Sequence, residues 1–329
     1  MSKKTNSRGD RKLTAFEKLY SFVILFAVII GLSVGQVGQI RTSAEHFIVP
    51  LLLVMLYLTF IQIPFSELRQ AFQKKKFTYT ALALNFLWTP FFTWLLAILF
   101  LSNNPELYLG FILLMITPCT DWYLIFTGIA KGNVAASATI LPLNLLLQIT
   151  LLPLYLYIFG GTTGMLEISF LVESVLIVLF IPLLLAILTN YWLKNKQKRR
   201  EAFLRKTSTL PILFLSLAIV AMFASQGQLL FQHLDLLWKL IIPILLFFLI
   251  NFFIGQKLGH IMCFSYKDRA SLSMTTLARN SPIALAIAMT AFPDQPLIAL
   301  TLVIGPLIEL PILTIITQVL LFKRRISIK

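Results

Sequence analysis

Thr117-Pro118-Cys119-Thr120-Asp121 interrupts a long apolar stretch in the first half of the chain, and Arg279-Asn280-Ser281-Pro282 interrupts another near the far end. Each break sets proline and polar or ionisable groups where an apolar helix would otherwise continue. Backbone that leaves the helix inside hydrocarbon is tolerated only where protein or a water-lined cavity satisfies its polar groups. Two such breaks at matching places in two halves of a chain point to a solute site. The fold therefore turns on what surrounds these two segments.

The surroundings read as membrane. Of 329 residues, 58% are hydrophobic and 12% are charged, with a mean hydropathy of +0.86. A soluble domain is about one quarter charged, and its apolar residues come in short periodic runs. Here the runs reach about 20 residues, the length of helix that crosses a bilayer. The alternating pattern of a transmembrane β-barrel is missing. These features predict an all-α polytopic membrane protein. A net charge of +15 invites a nucleic-acid reading. The basic residues, however, sit in gaps between apolar runs, as charge does in cytoplasmic loops. No nucleic-acid partner is expected; the lipid bilayer is. Cys119 and Cys263 are the two cysteines. One falls within a span and the other at a helix end, which argues against a disulfide framework. Tyr20 to Gly38 reads as a retained helix rather than a signal peptide.

Predicted spans lie at about 19–40, 47–64, 78–101, 107–130, 133–158, 166–192, 209–225, 236–257, 271–292 and 296–322, with bounds good to roughly four residues. Basic residues crowd alternate gaps: Arg69 and Lys74 to Lys76, Lys131, Lys194 to Lys206, and Lys257, Lys267 and Arg269. Residues 1–18 and 323–329 are basic tails. The other gaps hold Arg41 and the carboxylates Glu45, Glu106, Glu167, Asp235 and Asp294. This asymmetry predicts that both termini are cytoplasmic, in a multi-pass protein of the plasma membrane. Splitting the spans equally gives two five-helix repeats, 19–158 and 159–322. An odd number per half forces inverted topology, with broken helices 4 and 9 crossing near the midplane. Leu141-Pro142-Leu143-Asn144 in span 5 and Gly305-Pro306-Leu307-Ile308-Glu309 in span 10 repeat a second pattern.

Ionisable groups within spans are costly and usually face a cavity or a partner. Cys119 is either a small buried hydrophobe or a thiol exposed at the break. Asp121 either caps the second half of span 4 or faces a solute, and Thr120 lies between the two. Arg279 either pairs with Asp121 or Glu309 or contacts a ligand, beside Asn280. Glu309 follows Gly305-Pro306, which should loosen the backbone, and no neighbour in its span neutralises it. It is therefore a proton carrier or the partner of Arg279. Asn85 and Asn144 sit at mid-span and either line a cavity or bridge helices. Trp88, Trp122, Trp192 and Trp238 read as interface or packing residues. His46, His233 and His260 never cluster, so no metal site and no cofactor are expected.

At these residues the chain resembles the bile acid/arsenite/riboflavin transporter superfamily, and within it the arsenite permeases. Pro118-Cys119-Thr120 followed by Lys131-Gly132-Asn133 is similar to their Pro-Cys-Thr motif and Lys-Gly-Asp turn at the same distance. Gly305-Pro306-Leu307-Ile308-Glu309-Leu310-Pro311 is similar to their Gly-Pro-Leu-Ile-Glu-Val-Pro. The resemblance implies a panel domain and a core domain, with transport roles for Cys119 and Glu309. Two departures stand out: Asp121-Trp122-Tyr123 after the Pro-Cys-Thr motif, and Arg279-Asn280-Ser281-Pro282 where the permeases read Asn-Asn-x-Glu. The sodium sites of the bile-acid branch align with Tyr123, Leu124, Thr275 and Arg279. A guanidinium there argues against sodium coupling.

The expectation is a secondary transporter, not an enzyme, that exports arsenite or a related metalloid by alternating access, either proton-coupled or uncoupled. Its substrate-binding residues would be Cys119, Thr120, Asp121, Arg279, Asn280 and Asn144, with Glu309 carrying the proton and the Cys119 thiol meeting the metalloid. The alternatives are a carrier of small organic anions held by Arg279, and a non-transporting receptor or sensor on the same fold.

Overall fold

The computed structural model describes residues 20–63, 72–120, 122–161, 168–194, 196–232 and 234–328. The predicted tail 1–18, Arg69, Asp121, Glu167 and His233 lie outside the described residues. Every named element is a helix. In chain order they are α1 (Tyr20–Val34), α2 (Gly38–Phe60), α3 (Lys75–Leu101), α4 (Pro105–Ile116), α5 (Trp122–Ile129), α6 (Val134–Gly160) and α7 (168–193). They continue as α8 (Gln197–Thr207), α9 (Leu210–Gln232), α10 (Leu234–Ile261), α11 (Tyr266–Leu277), α12 (Ser281–Ala291) and α13 (Pro296–Ile328).

Among the described residues, seven helices are long and apolar enough to cross a membrane by length and composition. Rows of exposed apolar side chains run along their outer faces, such as Leu87, Phe91, Leu95 and Leu99 on α3 and Leu245, Leu249 and Phe253 on α10. A soluble protein rarely exposes continuous apolar surface of this kind. The chain is a multi-pass membrane protein. Two details differ from the sequence reading. The first turn-over comes early, so that α2 starts at Gly38 rather than near 47, because its polar opening (Gln39, Arg41, Thr42, Glu45, His46) is helical yet too polar for a hydropathy window. The basic gap after α7 is also not a plain loop. It folds as α8, whose Phe203 and Leu204 pack against the core while Lys198, Arg199, Arg205 and Lys206 face outward.

α9 lies along α1 and α2, and α7 packs on α2. Elsewhere α4 lies between α3 and α13, and α10 runs along α11. α4 is buried from Leu107 to Ile116 and α11 from Ala270 to Leu277, so the interrupted helices form the interior. Close approach of α4 to α13 depends on missing side chains. A Cβ at Gly110 would lie 2.8 Å from Thr301 Cβ, and one at Gly305 would lie 2.6 Å from Leu114 Cδ2. Small residues let helices without a hydrophobic drive between them reach van der Waals contact.

Two prolines inside these helices are compensated by neighbours. Pro306 and Pro311 lie within continuous α13, so the loosening expected before Glu309 is not a break. Pro306 offers no N–H to Leu302 O, four residues earlier. Ser281 Oγ, at the start of α12, donates to that carbonyl instead. α3 repeats the device: a π-helical turn at Leu84–Trp88 precedes Pro90, and the Tyr155 hydroxyl of α6 donates to Phe86 O. At the far end of the interior, Asn133 ties the turn before α6 to α11. Its N–H donates to Ser271 Oγ at 2.7 Å, and its Nδ2 donates to Asp268 Oδ1 at 2.7 Å.

Gly110→Ala should lower the stability of the purified protein by about 1–3 kcal/mol, the usual cost of overpacking. Gly38→Ala, where nothing lies within 4 Å of the added carbon, should stay within about 0.5 kcal/mol. Thermal unfolding in detergent reads both.

Candidate functional site: the crossing of two interrupted helices

α4 stops at Ile116 and α5 begins at Trp122; α11 stops at Leu277 and α12 begins at Ser281. The two extended gaps lie against each other as an isolated antiparallel bridge between Pro118 and Arg279. Cys119 N–H donates to Ala278 O at 3.0 Å, and Asn280 N–H donates to Thr117 O at 2.8 Å. In this pairing the N–H groups of the central residues point outward. Pro118 has none to leave unpaired, and the N–H of Arg279 donates to Glu309 Oε1 of α13 at 2.9 Å.

Interrupting two helices creates orphan groups at four helix ends. On the carbonyl side, Thr117 Oγ1 donates to Leu113 O at 3.0 Å and Leu114 O at 3.1 Å. Arg279 serves three more: Nη1 donates to Met115 O at 3.0 Å, Nε to Leu277 O at 3.2 Å, and Nη2 to Thr276 O. On the amide side, Cys119 Sγ accepts the Trp122 N–H at 3.2 Å at the start of α5. Asn280 Oδ1 accepts the Ile283 N–H at 3.2 Å, capping α12. Asn280 Nδ2 then donates to Thr120 Oγ1 at 3.1 Å, joining the two breaks through side chains. The thiol, one hydroxyl and one amide thus gather where two helix N-termini bring partial positive charge.

Two cavities open onto this crossing. One is bounded by Cys119, Thr120 and Asn280, and by Met55 and Thr59 of α2. The other is bounded by Arg279, Ser281 and Glu309, and by Ile24 and Val28 of α1. Trp122, Leu215 of α9 and Pro282 border both. Cys119 therefore borders one chamber and Glu309 the other, and the two chambers have the indole, the isobutyl group and the proline ring in common. Cys119 is 3% exposed and Glu309 5%, so both are nearly inaccessible from the outer surface.

Of the residues singled out from the sequence, Cys119, Thr120, Arg279, Asn280 and Glu309 come together at the crossing. Asn144 does not border either cavity; it is buried on α6 with Nδ2 3.5 Å from Thr275 Oγ1 of α11. Asn85 is buried on α3, and among the described residues neither of its amide atoms has a hydrogen-bond partner. The guanidinium of Arg279 is directed to carbonyls; among the described residues it has no ion pair, and Glu309 meets its backbone N–H instead. Trp122 reads as a packing residue from its sequence context but borders both chambers. Met55, Thr59 and Leu215 carry no signal in the sequence, because each looks like an ordinary residue of an apolar span. Cys119 and Cys263 form no disulfide. Among the described residues no group of His, Cys, Asp and Glu is arranged to hold a metal ion.

Residues 49–233, more than half of the chain, match the Sodium Bile acid symporter family. The chain belongs to that family. It is 27% identical to the arsenical-resistance protein Acr3 of Corynebacterium glutamicum, over 94% of this chain and 90% of that protein. An uncharacterized transporter of Synechocystis sp. is 26% identical over 93% of this chain and 88% of its own length. The arsenical-resistance protein Acr3 of Alkaliphilus metalliredigens is 23% identical, with 92% of each chain covered. Family and relatives together make this protein a membrane transporter of a small molecule.

The two thiols should differ sharply towards a small maleimide. Cys263 is exposed and should be alkylated many-fold faster than Cys119, as followed by mass spectrometry. Trp122→Ala, by removing a wall common to both chambers, should speed the reaction at Cys119 and leave Cys263 unchanged.

Proposed function

We propose that the protein is an efflux carrier for arsenite or a related trivalent metalloid, working by alternating access in the plasma membrane with both termini cytoplasmic. The observation that carries this reading is the chamber bordered by Cys119, Thr120 and Asn280 beside a second chamber bordered by Glu309. A neutral trihydroxy metalloid offers a soft central atom to the Cys119 sulfur. Its oxygens would meet Thr120, Asn280 and the half-helix N–H groups. Glu309 would take up a proton in the empty carrier and favour the return step. Two relatives bear the name arsenical-resistance protein, which supports the substrate class.

The moving parts follow from how helices group. α1 and α2 pack on α9 and α7 packs on α2, whereas α3 to α6 pack mainly with α10 to α13; α12 joins the two groups through α2 and α7. Counting α4 with α5 and α11 with α12 as interrupted crossings, and α8 as an interfacial helix, leaves ten crossings: five in each half of the chain, and four and six in the two packed groups. That count supports the inverted repeat, with panel and core rocking across the chambers between them. An organic-anion carrier finds less support, because the Arg279 fork that would grip a carboxylate already serves three carbonyls.

Inside-out vesicles should accumulate arsenite, and faster when their lumen is acidic. Cys119→Ala should cut uptake by about tenfold or more, a loss of about 1.4 kcal/mol of transition-state stabilisation. Glu309→Gln should abolish the dependence on the pH gradient. Wild-type rates in Cys119→Ala would remove the thiol from the mechanism.

A further inference from the structure

Arg279 is the largest nearly inaccessible side chain among the described residues, at 2% exposure, and it is a cation. Burying an unpaired charge costs several kcal/mol even after relaxation, so something in the structure must compensate it. Among the described residues no carboxylate oxygen lies within ion-pair distance of the guanidinium. Three carbonyls do the work instead: Met115 O from the last turn of α4, and Thr276 O and Leu277 O from the last turn of α11. Each helix C-terminus carries about half a negative elementary charge, so two meeting there make a site for one monovalent cation. The face of the Phe247 ring, on α10, lies 5.2 Å from Cζ and adds a further attraction. Meanwhile the backbone N–H of the same residue holds Glu309 at 2.9 Å.

We propose that Arg279 is a tethered counter-cation. Its guanidinium fills, from within the chain, a cation site formed by the C-terminal ends of two half-helices, and by doing so assembles the crossing without a diffusible ion. It is a positioning residue: it acts on the thiol and carboxylate through the backbone they share. Without the side chain, the three carbonyls it serves are left in a buried space that carries partial negative charge. Free guanidinium suits it best, since its planar N–H groups can reach carbonyls from both helices and its face can lie on Phe247. Sodium and potassium can answer the charge but not the geometry.

The proposal rests on the transporter reading only where transport is measured, so the decisive assay is stability. Purified full-length Arg279→Ala is unfolded by heat with millimolar guanidinium chloride, sodium chloride, potassium chloride or choline chloride at matched ionic strength. The midpoint should fall relative to wild type and recover saturably with guanidinium by about half or more of the loss, as for any ligand bound only by the native state. Sodium and potassium should restore less, and choline nothing. Gly110→Ala, destabilised elsewhere, should show no recovery. Absence of recovery with every cation, or equal recovery in Gly110→Ala or with choline, overturns the proposal. If the alanine variant does not accumulate, Arg279→Lys is compared with Arg279→Met: the lysine variant should be the more stable, and equal midpoints overturn the idea. Guanidinium should also restore arsenite uptake by Arg279→Ala vesicles. Thermal recovery in a protein whose wild type moves no arsenite would sink the substrate assignment and leave the tethered cation standing.

Discussion

Two hydrogen bonds, Cys119 N–H to Ala278 O and Asn280 N–H to Thr117 O, hold together the two places where helices give way. In a protein surrounded by lipid no water outside can satisfy backbone released from a helix, so each gap is stable only in the company of the other. Pairing the gaps consumes the groups that point towards each other. What remains are the groups that point away, and their disposition shapes everything else at the crossing. Carbonyl ends converge on Arg279, amide ends converge on Cys119 and Asn280, and the one outward N–H reaches Glu309.

That constraint explains the density of unusual residues nearby. Thr117 and Ser281 supply hydroxyls for carbonyls that lost their partners, one through a helix end and the other through Pro306. Gly110 and Gly305 bring α4 and α13 close enough for Glu309 to reach the bridge. Farther along, Asn133 locks the turn after α5 to α11, so the two interrupted helices are joined at one end as well as at their crossing. The crossing is therefore a braced junction, with its two chambers where α1, α2 and α9 come over it.

Separation of the thiol and the carboxylate has a functional consequence within the export reading. A metalloid at Cys119 and a proton at Glu309 would not touch; they would influence one another through the bridge that both contact. Cys119 pairs through its N–H with Ala278, and Glu309 holds the N–H of the next residue. Coupling between them would then pass through two adjacent peptide units, with Trp122 bordering both chambers.

Much of this was legible in the chain. Apolar runs of bilayer length dictated a helical membrane protein, because no other open structure satisfies its backbone in lipid. Pro118 and Pro282, each beside ionisable or polar residues, marked both interruptions, since proline and buried charge are hard to place in a continuous lipid-exposed helix. Cys119, Glu309 and Asn280 stood out for the same reason. Residues with a double use escaped: Trp122, Met55 and Leu215 look like filling in any apolar span, and only their position over the crossing makes them walls of a chamber. The direction of the Arg279 guanidinium belonged to the tertiary structure too. A sequence shows that a buried cation must be compensated, but not whether by a carboxylate or by carbonyls, because the orphan carbonyls of two helices converge on one point only once the chain has folded.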